Sequence, residues 1–247
     1  AGYGHPSPGA NLNTIDYIQM STLGTALNFG DNTRIGNSRA GLSDGIRGVW
    51  AGNGGSPFPS TRVDLNIISS VGDATNFGDL SCTSSSNGAS NNVKGILANL
   101  NGLESYQLAS GGNSIEFGDR PTNMVQPNCT ASHTRVVIAG GRDNNPSSQT
   151  FTDALEYVNI ASTGNSSSFG DLTEFNSSAA TCASPTRGIF NQGSVPTYKK
   201  TIEFITIATL GNATRFGESS KAGAGSPMGA SSTTRGVFAG GQFDNPY

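Results

Sequence analysis

Apolar and polar positions in this chain recur in one ungapped block that is met five times. Each block closes on a Phe-Gly-acid triplet: Phe29-Gly30-Asp31, Phe77-Gly78-Asp79, Phe117-Gly118-Asp119, Phe169-Gly170-Asp171 and Phe216-Gly217-Glu218. Fourteen residues before each Phe stands an aliphatic residue (Ile15, Val63, Leu103, Leu155, Ile202), followed at once by an acid (Asp16, Asp64, Glu104, Glu156, Glu203). Nine before the Phe is Met20, Ile68, Leu108, Ile160 or Ile207, and five before it is always glycine: Gly24, Gly72, Gly112, Gly164, Gly211. The block predicts a β-hairpin. Runs such as IDYIQM, LEYVNIAS and IEFITIAT have the β-branched and aromatic content of strands, and the fixed glycine falls at their turn. Apolar residues on both strand faces fit a sheet held between two neighbouring sheets.

A second element follows each Phe by 17 to 19 residues, opened by Arg47, Lys94, Arg135, Arg187 or Arg235 and continuing as GVWAGN, GILANL, VVIAGG, GIFNQG or GVFAGG. Between Phe and base lie small residues, which suit an innermost strand near a crowded axis. Four strands per unit, five units and a period of about 40 to 52 residues predict one all-β domain over 1–247, a five-bladed β-propeller with four-stranded blades. The C-terminal strands are expected to complete the blade that Ile15 begins, closing the ring by pairing N- and C-terminal strands and hiding sheet edges.

Composition agrees and narrows the chemistry. The 34 glycines are about twice average usage, and helix propensity is poor throughout. Charged residues make 13% and the net charge is −3, which predicts no nucleic-acid partner. No apolar run is long enough for a membrane-spanning helix, so no membrane insertion is expected. The start AGYGHPSPGA carries no visible signal peptide and fits either loss of an initiator Met or cleavage from a longer chain. Cys82, Cys129 and Cys182 read as small buried residues or free thiols, and the sequons at Asn128, Asn165, Asn176 and Asn212 read as chance. His5 and His133 stand apart from any partner motif, and Trp50 takes a core strand position. No nucleophile-elbow, zinc-protease, phosphate-loop or calcium-loop pattern is present, so the expectation is a non-enzymatic protein without cofactor or metal.

The runs GVFAGG and VVIAGG resemble kelch or galactose-oxidase-type propeller repeats. TRGVFAGG at 234–241, TRGIF at 186–190 and the segments 155–172 and 202–217 more closely resemble repeats of bacteriophage structural and tail-associated proteins. The resemblance covers nearly the whole chain; Lys94 and the NLNG after it depart from the pattern. It implies a structural or decoration component of a phage virion, made in the host cytoplasm and carried on the extracellular particle. Its partners would be other virion proteins and further copies of itself. The alternative is a lectin-like propeller, secreted or on a cell surface, that binds host glycans.

The interval from base to next strand varies (16, 9, 20 and 15 residues) while the hairpin never does. All these loops fall on one face, which marks it as the contact surface. Its candidate binding residues are Phe58, Phe151 and Tyr198, with Phe243 and Tyr247, and also Tyr3 and His5, near the termini; the alternative is that these rings cover blade edges. The acids after Phe-Gly, the second acidic set and the bases read as structural. A lectin would repeat the same pocket residues in every blade, and the unequal loops favour docking instead.

Overall fold

The structure is a computed structural model that describes residues 12–22, 24–36, 39–53, 60–81, 87–100, 102–121, 123–145, 150–191, 193, 199–220 and 227–240. All regular structure among them is antiparallel β. An N-terminal pair, β1 (Leu12–Tyr17) and β2 (Leu27–Gly36), comes first. A first four-stranded sheet runs β3 (Ala40–Ser43), β4 (Arg47–Asn53), β5 (Ser60–Ile67) and β6 (Thr75–Asp79). The second sheet repeats this order with β7 (Asn87–Ser90), β8 (Lys94–Asn99), β9 (Gly102–Gln107) and β10 (Ile115–Gly118). A two-residue strand β11 (Met124–Val125) precedes the third sheet, whose strands are β12 (Asn128–Ala131), β13 (Arg135–Ala139), β15 (Ala154–Asn159) and β16 (Ser167–Asp171). The strand β14 (Arg142–Asp143) leaves that sheet to pair with β11 as a small ribbon. The fourth sheet is β17 (Ala180–Ala183), β18 (Arg187–Asn191), β19 (Thr201–Thr206) and β20 (Thr214–Glu218), and β21 (Met228–Ser231) pairs with β22 (Gly236–Ala239). Each sheet is therefore a small-residue strand, a base-opened strand, an acid-bearing strand and a Phe-bearing strand. The chain is an all-β, propeller-like stack of four-stranded sheets.

An apolar cluster fills each interval between consecutive sheets. Val49, Leu97, Tyr106 and Leu108 join the first and second; Ile96, Phe117, Ile138 and Ile160 the second and third; Val137, Phe169, Phe190 and Ile207 the third and fourth. Ile15 and Phe29 of the N-terminal pair meet Trp50 and Ala74. Each fully buried large side chain contributes about 1.5–3 kcal/mol by leaving water. Trp50 is core, its indole N–H donating to Asn66 Oδ1 at 3.0 Å.

The Phe-Gly anchor has a backbone reason. The fourth strand runs past the Phe through a β-bulge. Val63 faces Gly78 while Asp64 faces Asn76, so Phe77 is the extra residue, and the same shift recurs at Phe29, Phe117, Phe169 and Phe216. A bulged residue is left out of its own ladder. Its carbonyl is then available to the next unit: Phe29, Phe77, Phe117 and Phe169 accept from the N–H of Gly72, Gly112, Gly164 and Gly211 at 2.8–2.9 Å. The following glycine permits this approach. A Cβ on Gly30, Gly78 or Gly170 would stand 2.3, 1.9 or 2.4 Å from the carbonyl oxygen of the glycine opposite. Beside it, the acid's own N–H donates to a side chain of the next unit: Asp31 to Asp73, Asp79 to Asn113, Asp119 to Asn165, Asp171 to Asn212. Two of the sequons are thus junction asparagines.

Candidate docking surface on the loop face

In a four-stranded antiparallel sheet, alternate connections emerge at opposite ends. The first-to-second and third-to-fourth turns share one face; the second-to-third loops and the crossings to the next sheet share the other. The turn face is uniform. In the four sheets and in the β21–β22 hairpin a side-chain oxygen caps the first turn by accepting from the N–H groups two and three residues on: Asp44, Asn91, Ser132, Ser184 and Ser232. Such Asx and Ser turns fix a tight hairpin.

The repeated charges are also spent on the scaffold. Arg47 Nη1 reaches Asp44 at 2.7 Å and the Leu108 carbonyl of the next sheet at 3.1 Å, and Arg135 Nη1 reaches the carbonyls of Ile207 and Ala208. Arg135, Arg187 and Lys94 lie over the rings of Tyr157, Phe204 and Phe117 at 4.9, 4.7 and 5.6 Å. Arg235 Nη1 donates to Met20 O at 3.3 Å.

The second acidic set is spent in the same way. Asp64, Glu104, Glu156 and Glu203 are buried, and each grips the chain three or four residues beyond the preceding unit's Phe. Asp64 accepts from Thr33 Oγ1 and pairs with Arg39 at 2.9 Å; Glu104 accepts from Ser81, Asn99 and Ser114. Glu156 pairs with Arg120 at 3.1 Å, and Glu203 accepts from the Thr173 N–H at 2.6 Å. Burial pushes the Glu104 carboxyl up, but the hydrogen bonds from Ser114, Ser81 and Asn99 outweigh it and hold the group below the usual carboxylate range. Burial pushes the free thiols of Cys129 and Cys182 up to about 12 and about 11.

The loop face is irregular. Its second-to-third connection is only two residues long in the second sheet, from Asn99 to Gly102, yet in the third sheet it carries the β11–β14 ribbon. Arg142 Nε in that ribbon donates to Gln126 Oε1 at 2.7 Å. Gln126 and Ser178 hold left-handed φ angles of 53° and 54°, and the Ser178 N–H donates to the Gln126 carbonyl. Left-handed non-glycine residues cost of the order of 1–3 kcal/mol and gather where a surface is shaped for contact. Between the third and fourth sheets Phe175 is 52% exposed, beside a Lys199–Glu174 ion pair. Asn176, Thr201 and Gly193 line the same crevice. Asn176 is buried with its Oδ1 unpartnered.

Of the candidate binding residues, Phe151 lies on this face, but it is half-buried and its backbone bridges to Arg142 of the ribbon. Phe58, Tyr198, Phe243 and Tyr247, like Tyr3, His5 and Cys82, lie outside the described residues. Sequence reasoning missed Phe175, which sits in a crossing segment among Asn and Ser with no repeat position to mark it.

No protein-family model and no curated protein matches the sequence. Among solved structures, that of YjhT is similar over 84% of this chain and 73% of its own, with a TM-score of 0.67 and 12% sequence identity. At that identity the likeness is one of fold, an all-β stack of antiparallel sheets.

Proposed function

We propose that the chain is a five-bladed β-propeller, its ring completed by the N- and C-terminal strands, and that it serves as a non-enzymatic structural or decoration component of a phage virion. It docks to other virion proteins through the loop face and resides on the extracellular particle. One observation carries this reading: the two faces differ. Among the described residues, the turn face repeats one capped turn five times, whereas the loop face concentrates the ribbon, the left-handed Gln126 and Ser178 and the exposed Phe175 between two units. A single asymmetric surface suits one docking partner better than a ring of equivalent pockets. The buried carboxylates, being committed to inter-sheet hydrogen bonds, are poorly placed for acid–base work.

The test is incorporation into purified particles. Phe175→Asp should reduce binding to particles lacking the protein by about 30-fold, the scale of one interface hot spot, without changing the melting temperature. Ile46→Ser on the turn face should leave binding intact. A chain absent from particles yet retained on a glycan column would overturn the virion reading and favour glycan attachment.

A further inference from the structure

Four buried acids hold the sheets together, and three of them are well compensated. Asp64 has Arg39 at 2.9 Å and Arg62 at 3.4 Å, and Glu156 has Arg120 at 3.1 Å. Glu104 has no cation but accepts from Ser81, Asn99 and Ser114. Glu203, only 3% exposed, accepts one hydrogen bond among the described residues, from the Thr173 N–H. A buried carboxylate with so little around it is costly unless a counter-charge reaches it.

The crevice between the third and fourth sheets leads to that carboxylate. Glu203 lines it together with Glu174, Asn176, Gly193 and Thr201. Asn176 is 6% exposed, and its Oδ1 has no hydrogen-bond partner. That oxygen is directed at Gly193: a Cβ there would stand 2.2 Å from Asn176 Oδ1 and 1.8 Å from the Ser177 carbonyl oxygen. The glycine thus leaves open a spot on which two neutral oxygens converge. The enclosed volume is about 10 Å³, room for one water-sized guest and too little for a guanidinium or a sugar ring. Lys199 does not supply the missing charge, because its ammonium is engaged by Glu174 in the more open part of the crevice, the two side chains being 30% and 38% exposed.

We infer that this crevice is a binding site for one calcium ion, held by Glu203, Asn176 Oδ1 and the carbonyl beside it. The donors are all oxygen, the preference of a hard cation and not of zinc. Among the described residues no three His, Cys, Asp or Glu side chains gather around one point, so the negative charge at the site is that of Glu203, with Glu174 shared with Lys199. So few carboxylates make a weak site, in the range of about 10⁻⁴–10⁻³ M. The ligands come from separate segments around 176, 193 and 203, which is why no calcium-loop spacing marks them in the sequence. The ion ties the crossing segment that carries Phe175 to the fourth sheet, and it needs no docking partner to do so.

The experiment titrates the full chain, first stripped with a chelator, with calcium chloride, read by isothermal calorimetry and by thermal melts. One ion per chain is expected, with a Kd of about 10⁻⁴–10⁻³ M, and a melting temperature that rises by several degrees in about 10 mM calcium. Glu203→Gln keeps an acceptor for the Thr173 N–H and should abolish binding. Asn176→Asp adds a charged ligand and should tighten binding roughly tenfold, and Lys199→Met, which removes a like charge, should also tighten it. Absence of heat and of a melting shift in the parent chain, binding retained by Glu203→Gln, or an Asn176→Asp variant that binds no more tightly would each overturn the site. No particle enters this measurement, so a chain that binds calcium but not particles overturns the virion reading alone.

Discussion

The side chains that hold neighbouring units together are polar groups whose cost of burial is offset only while every partner is in place. Glu156 and Arg120 are both nearly inaccessible, so Glu156→Ala leaves a buried guanidinium uncompensated. A loss of about 3–5 kcal/mol is expected in urea denaturation. Glu104 gives the corresponding pH dependence. Its folded pKa lies below its unfolded value of about 4.3, so its contribution is complete above that pH and is lost as pH falls through the folded value. Unfolding free energy measured from pH 6 downward should decline below about pH 4.3, and Glu104→Gln should flatten that part of the decline while lowering stability at neutral pH.

At the level of the strand pair, the recurring unit is a hairpin with one bulge, and much of it was legible in the chain. Phe at the bulge fills the interval between sheets, and the glycine after it makes room for a neighbouring carbonyl, so both leave an ungapped signature. Gly78→Ala and Gly170→Ala each force a Cβ within 2.4 Å of backbone oxygen, and each should cost about 1–3 kcal/mol or more, read from thermal melts. Other features left no such trace. Asp16, Asp64, Glu104, Glu156 and Glu203 look alike in sequence, and only the docking of the preceding unit decides which become buried clamps. The β11–β14 ribbon has two residues per strand, too few for a period-2 pattern. Phe175 owes its exposure to the crossing path between two sheets, a property of the assembled stack and not of its neighbours in sequence.

Taken whole, the molecule is a row of near-identical joints whose faces have diverged. A joint contacts only the units on either side of it, so stability is close to a sum of unit and nearest-neighbour terms. Substitutions on the turn face should therefore alter melting alone, while those around Phe175 alter particle binding alone. Two buried free thiols make this architecture measurable without added labels. Cys129 is sealed between the second and third sheets, whereas Cys182 Sγ is covered by β22, standing 2.5 Å from where a Gly236 Cβ would be. Both thiols are protonated at neutral pH, and alkylation consumes the thiolate. Reaction with iodoacetamide at either site therefore waits on an opening that rehydrates it. Cys182 should react faster than Cys129, and the ratio of the two rates, followed by peptide mass spectrometry, is a built-in clock for how often the last hairpin lifts away compared with an interior joint.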